Sequence, residues 1–222
     1  MPFVFPRVEM TEIGLFIEST LITFLVSIGG CLIGVPLGLL IAVLRIKKIP
    51  LLLPFLAVCV SFVRGLPLVL FVMLFYYGVP VLGLNLDPYT AGILALAISN
   101  AAFTSEIWRA ALVDFSIDQL EAARAYGMTS QQTFWRIMFP QVWRSNISHI
   151  TSEITLLVKS SPALGIIGIN ELTRRASLLA ASNYQPVLML LSATLIYMTV
   201  ILAFARFSRS LDQRLQSQYE LV

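Results

Sequence analysis

The sequence predicts an all-α membrane protein with five transmembrane helices. Three observations carry that prediction. Of 222 residues, 58% are hydrophobic and only 12% are charged, against about 25% charged in a soluble domain. Mean hydropathy is +0.85. The charges also punctuate apolar blocks, several of which exceed the roughly 20 residues a helix needs to cross a bilayer core. Lipid, not water, is the solvent this composition matches, and one membrane domain over residues 1–222 is expected.

The first block covers about 13–44, with Glu18 its only charge. It carries Gly30, Gly34 and Gly38 at four-residue spacing, a stripe that lets a second helix approach closely. Pro36 lies between them and predicts a kink. The second block, about 51–81, is interrupted by Arg64 and holds Pro54 and Pro67; broken helices of this kind often line a pathway in transporters. The third, about 88–112, ends in Glu106 and Arg109. The fourth, about 146–169, contains Glu153, Lys159 and Pro162. The fifth, about 180–205, has no charge.

Orientation follows from the Lys/Arg bias of the connecting segments. With the carboxyl terminus cytoplasmic, the inner set is Arg45, Lys47, Lys48, Arg109, Arg124, Arg136, Arg144, Arg206, Arg209 and Arg214, against Arg7, Arg174 and Arg175 outside. Ten against three sets the amino terminus outside and the segment 113–145 in the cytoplasm. The net charge of +3 is scattered between apolar blocks, which argues against nucleic acid as a partner. No cleaved signal peptide is expected, because no basic segment leads directly into an apolar core and a small-residue cleavage site. Cys31 and Cys59 sit in apolar stretches and read as small packing residues. His149 lacks the companions a metal site or proton relay needs, so it reads as interfacial, and no metal is expected. Tyr76, Tyr77, Trp108, Trp135, Trp143, Tyr184 and Tyr197 read mostly as an aromatic belt.

Charge within a span needs a partner. Arg64 and Glu106 lie toward cytoplasmic ends and read as structural ion pairs. Glu153 and Lys159 are six residues apart and so are not direct helix neighbours. With Asn100 and Ser160 they are candidates for a translocation path or substrate contact.

Residues 116–140, SIDQLEAARAYGMTSQQTFWRIMFP, predict two short helices. Ser116 with Gln119 and Thr129 with Gln132 have capping-box spacing. Gly127 suits the left-handed position that ends the first helix, and Pro140 is expected to end the second. Ile117, Leu120 and Ala123 on one helix, and Phe134, Ile137 and Met138 on the other, form apolar ridges suited to docking. The stretch resembles the EAA loop of bacterial binding-protein-dependent ABC importers: Glu121, Ala122, Ala123, Gly127, Ile137 and Pro140 match at the family's spacing, with Phe139 in place of leucine. Residues 63–78 (VRGLPLVLFVMLFYYG) and 98–111 (ISNAAFTSEIWRAA) resemble the polar amino-acid permease branch, with Leu66 in place of a threonine. Residues 156–164 (LLVKSSPAL) do so too, with Ser160 and Ser161 replacing Asp and Thr and a proline added.

The resemblance implies a type I importer permease of the bacterial inner membrane, with the six matched residues contacting a cytoplasmic ABC ATPase dimer. It also implies a second permease subunit, identical or related, and an extracytoplasmic amino-acid-binding protein. ATP and Mg would be bound by the ATPase partner, since the chain lacks a Gly-rich loop ending in Gly-Lys-Ser/Thr and reads as non-catalytic. The alternative is an ion-gradient-driven secondary amino-acid transporter coupled through Glu106, Glu153 and Lys159, which leaves the loop pattern unexplained.

Overall fold

The computed structural model of the chain describes residues 10–47 and 49–217, with side chains to residue 210. Arg7, Lys48 and the side chain of Arg214 therefore lie outside the described residues. Everything regular among the described residues is helical. The helices are α1 (Met10–Ile46), α2 (Leu52–Gly65), α3 (Leu68–Gly78), α4 (Pro88–Val113), α5 (Ile117–Ala125), α6 (Ser130–Thr133), α7 (Phe139–Ser160), α8 (Leu172–Asn183) and α9 (Pro186–Ser217). Four helical runs are long and apolar enough to cross a membrane: Met10–Ile46, Pro88–Val113, Ser130–Ile167 and Pro186–Ser210. A fifth span exists if α2 and α3 are taken together.

The second block is therefore not one straight helix. The α2 and α3 axes differ by 114°. Pro67 explains the break: it lacks an N–H and drives the preceding residue out of the helical region. Leu66 is accordingly extended, with φ −90° and ψ 137°. The last block also begins later than expected. Residues 180–183 belong to α8, Tyr184 turns into the left-handed region at φ 53°, and α9 starts at Pro186, a residue suited to a helix's first turn. The fourth begins earlier than 146, because α6 continues through a π turn (Phe134–Met138) into α7 and then a 3₁₀ segment, Ser161–Ile167. Pro140 thus does not end the second short helix. It has no N–H to offer the carbonyl of Arg136, and the wide turn, in which Phe139 N–H donates to Phe134 O, accommodates that loss without stopping the helix.

The core is the α1–α4 seam, the most extensive helix pairing in the chain. Gly30, Gly34 and Gly38 are all buried. A Cβ at Gly30 would lie 2.7 Å from Leu96 Cβ, and one at Gly34 2.7 Å from the Ala97 carbonyl and Asn100 Oδ1. At Gly38 it would collide with Thr104 Oγ1. Backbones this close gain dispersion contacts that lipid tails cannot better, which is how small residues hold membrane helices together. Trp108 Nε1 donates to the Val35 carbonyl at 3.3 Å and fastens the same seam lower down. A carbonyl oxygen has two lone pairs, so the Val35 carbonyl can take this bond in addition to a helical one. Cys31 is buried and Cys59 half-buried, and both are free thiols.

At the other edge Asp87 caps α4, accepting from the N–H groups of Tyr89 and Thr90 at 3.0 and 3.1 Å. Hydrogen bonding from Thr90 holds its carboxyl below the ordinary value, as expected for an anion at a helix N-terminus.

Gly38→Ala is predicted to destabilise the chain by about 1–3 kcal/mol, the usual range for overpacking. Gly14→Ala lies on the same helix in open space and is predicted to be neutral or stabilising by up to about 1 kcal/mol. Thermal unfolding in detergent micelles, followed by circular dichroism, should show shifts of opposite sign.

Candidate functional site

The helix pair α5–α6 forms as its local sequence dictates. α5 closes in a Schellman arrangement: Met128 N–H donates to Ala123 O at 3.0 Å and Gly127 N–H to Arg124 O at 2.9 Å. Gly127 sits at φ +71° with no atom within 4 Å of a would-be Cβ, so its requirement is conformational and not spatial. The Thr129–Gln132 capping box is formed in both directions. Ser116, by contrast, makes no side-chain cap, and its expected partner Gln119 instead accepts from Gln141 Nε2 at 2.8 Å. That bond ties α5 to the start of α7.

The matched motif residues fall into two groups by exposure. Glu121, Ala122 and Gly127 are exposed, whereas Ala123 is 3% exposed and Ile137 and Pro140 are half-buried. Ala123 is therefore turned inward and not presented at the surface. Beside the motif, Ile117 (68% exposed) and Trp135 (54% exposed) leave apolar area uncovered. Trp135 and Phe134 join an aromatic ladder with Phe139, Trp143 and Trp108, with ring centroids 5.1–6.4 Å apart. The ladder anchors the short helices onto α4 and α7. Trp108 is buried in it, so it is not a belt residue.

The span charges are organised around Glu106. Its Oε1 lies 2.5 Å from Arg45 of α1, and its Oε2 lies 2.8 Å from Arg109 one turn away on α4. Arg64 of α2 approaches only to 4.0 Å and also lies over the Phe103 ring at 5.4 Å. The principal partner is thus Arg45, at the end of α1, and not Arg64. Glu153, on α7, is half-buried within Coulombic reach of Arg64.

The remaining path candidates are dispersed. Asn100 is 2% exposed in the α1–α4 seam facing Gly34, and its Oδ1 has no hydrogen-bond partner among the described residues. Lys159 is exposed, and Ser160 Oγ donates back to Leu156 O at 2.9 Å. No hydrogen bond or ion pair joins any two of Asn100, Glu153, Lys159 and Ser160 among the described residues. Among the described residues there is no group of three or more His, Cys, Asp or Glu arranged to hold a metal.

A second polar centre was not anticipated. Glu171, 1% exposed, caps α8 by accepting from Thr173 and Arg174 N–H at 2.8 and 2.6 Å and from Tyr197 Oη at 3.0 Å. Tyr197 also pairs with Ser161 Oγ at 3.1 Å, so it too is a core residue and not a belt one. Leu172 N–H donates to Thr23 Oγ1 at 3.1 Å and Arg175 Nε to Ser19 Oγ at 3.2 Å. Arg174 bonds the Gly165 carbonyl. These bonds lock the 3₁₀ segment, α8, α9 and α1 together near the amino-terminal half of α1. The sequence signal was an acidic residue immediately ahead of a helical pattern, a cap signature.

Residues 34–217 match the family described as binding-protein-dependent transport system inner membrane component. The arginine transport system permease protein ArtQ of Bacillus subtilis is 31% identical over 93% of this chain and 94% of its own length. A probable glutamine ABC transporter permease protein of the same organism, GlnM, is 32% identical over 90% of this chain and 91% of its own. Among solved structures, an amino acid ABC transporter crystallised with histidines superposes with a TM-score of 0.83 at 28% identity, over 94% of this chain and all of that one. An inward-facing methionine ABC transporter superposes at 0.75 with 18% identity, a likeness of fold.

Removing the Glu106 charge leaves Arg45, whose side chain is 12% exposed, without its counter-ion. Glu106→Gln is predicted to cost about 3 kcal/mol, as for other buried pairs broken on one side. Arg64→Gln, 43% exposed at the edge of the cluster, is predicted to cost under about 1 kcal/mol. Unfolding midpoints in micelles rank the two variants.

Proposed function

The chain belongs to the family of binding-protein-dependent transport system inner membrane components, and on that premise we propose that it is the membrane-spanning subunit of an ATP-driven importer of polar amino acids. Its amino terminus faces outside and its carboxyl terminus the cytoplasm of a bacterial cell. It pairs with a second permease subunit. A binding protein delivers substrate from outside, and a cytoplasmic ABC ATPase dimer holds ATP and Mg.

The observation that carries the reading is the motif Glu121–Ala122–Ala123, Gly127, Ile137, Pro140, which runs from α5 through the Gly127 turn and the capped α6 into α7 and leaves Glu121, Ala122 and Gly127 exposed. The substrate class is supported by the names of the relatives, which are amino-acid permeases. The geometry supplies a transmission route. α6 runs without a break into α7, so a displacement of Ser130–Met138 by a closing ATPase moves a membrane helix directly. Trp143 stacks on Trp108 at 5.7 Å, which passes the motion to α4. The Gln119–Gln141 bond makes α5 follow. Two packings separated by a few kcal/mol suffice for alternating access.

Glu153, Lys159 and Ser160 are the path candidates on α7, with Arg64 at the end of α2 within Coulombic reach of Glu153. Asn100 fits better as a seam residue, since Gly34 covers it.

Two variants test the coupling role. Glu121→Lys reverses an exposed charge on α5. Gly127→Leu forces a side chain into a left-handed turn at about 1–2 kcal/mol. Both are predicted to insert normally and to lower amino-acid-stimulated ATP hydrolysis in liposomes by at least about tenfold, the effect of losing one good interface contact. Wild-type stimulation by both variants would contradict the coupling role.

A further inference from the structure

One face of α1 opens onto a continuous furrow. Its inner part is a cavity of about 480 Å³ floored by Ile28, Leu32, Val35 and Leu39. Its outer part, about 640 Å³, continues along Leu39, Leu40 and Val43 and ends at Lys47, Ser130 and Gln131. The two share Pro36 and Leu39, so they form one groove. The opposite wall is the aromatic ladder, with Trp108, Phe139 and Trp143 along the inner part and Phe134 and Trp135 along the outer.

The polarity of this furrow runs in one direction. The inner part is apolar throughout and the outer part ends in a cation, a hydroxyl and an amide. Lys47 is exposed and makes no ion pair among the described residues. The dimensions follow the same order. Leu39 lies eleven residues beyond Ile28, ~16 Å of helix, close to the ~15 Å of one leaflet's hydrocarbon. Leu39 to Lys47 adds ~12 Å, which reaches the headgroup region. An apolar slot one leaflet deep with a cation at its mouth is complementary to a single amphiphile with an anionic head.

We propose that this furrow is a binding site for one anionic phospholipid, its acyl chain lying between α1 and the aromatic ladder and its phosphate at Lys47, Ser130 and Gln131. Ser130 and Gln131 of α6 form part of its headgroup end, so an occupant steadies the junction between the short helices and the spans.

The chain's three tryptophans, Trp108, Trp135 and Trp143, all line the furrow, so its occupancy can be read directly. The full chain is reconstituted in phosphatidylcholine vesicles containing a small fraction of dibrominated phosphatidylglycerol or dibrominated phosphatidylcholine, and tryptophan quenching is measured. Phosphatidylglycerol is expected to quench with about fivefold higher relative affinity, the effect of one cation at a membrane surface. Lys47→Glu is expected to abolish that preference, and Arg124→Glu, an exposed charge reversal on α5, to leave it intact. Equal quenching by the two lipids overturns the proposal. So does a preference that survives Lys47→Glu or falls equally with Arg124→Glu, which is diffuse surface charge. Tryptophans shielded from both brominated lipids overturn it as well, because a protein surface, such as a second copy of the chain, then covers the furrow.

Discussion

The close approach of α1 and α4 is the constraint on which the rest of the structure depends. Three glycines on α1 admit Leu96, Asn100 and Thr104 of α4 at distances no other side chain would allow. Once the backbones are that near, Arg45 reaches Glu106 and Trp108 reaches the Val35 carbonyl. Both are long-range contacts that a separation wider by one methyl group would stretch. The aromatic ladder stands on Trp108, and the short helices α5 and α6 adjoin the ladder. Stability at the seam and geometry at the proposed coupling surface are therefore one problem.

The seam also explains where polar groups sit. Asn100, Ser27 and Arg45 each bury an atom without a hydrogen-bond partner among the described residues, which is costly in a low-dielectric interior. Two of the three lie on α1, the helix whose tight packing excludes alternatives. Glu171 shows the opposite solution: a carboxylate that accepts from three donors, the N–H groups of Thr173 and Arg174 and the Tyr197 hydroxyl.

Much of this was legible in the sequence. Hydrophobic blocks located the spans because lipid demands long apolar helices, and the Gly30–Gly34–Gly38 spacing announced the seam. The Gly127 turn and the Thr129–Gln132 box were readable because both are local. What escaped was non-local or a matter of degree. Pro67 signalled a break but not a bend of 114°, since the angle is set by what α2 and α3 pack against. Arg45 was hidden as the partner of Glu106 because 61 residues separate them. Pro140 misled because a π turn can absorb a proline that an α-helical turn cannot. Tyr184 misled because a non-glycine residue rarely adopts a left-handed φ, although Asn183 and Pro186 beside it are turn and helix-start residues.

The account's central claim is that the α5–α6 pair meets an ABC ATPase. In a chain with Cys31 and Cys59 replaced by alanine, a cysteine at exposed Ala122 should be cross-linked to the ATPase co-expressed with it by a short bifunctional reagent, with the yield changing when ATP is added. A cysteine at Ala181, exposed on α8, should give no such product. Cross-linking from Ala181 but not from Ala122, or from neither in an assembled and active transporter, would contradict the claim.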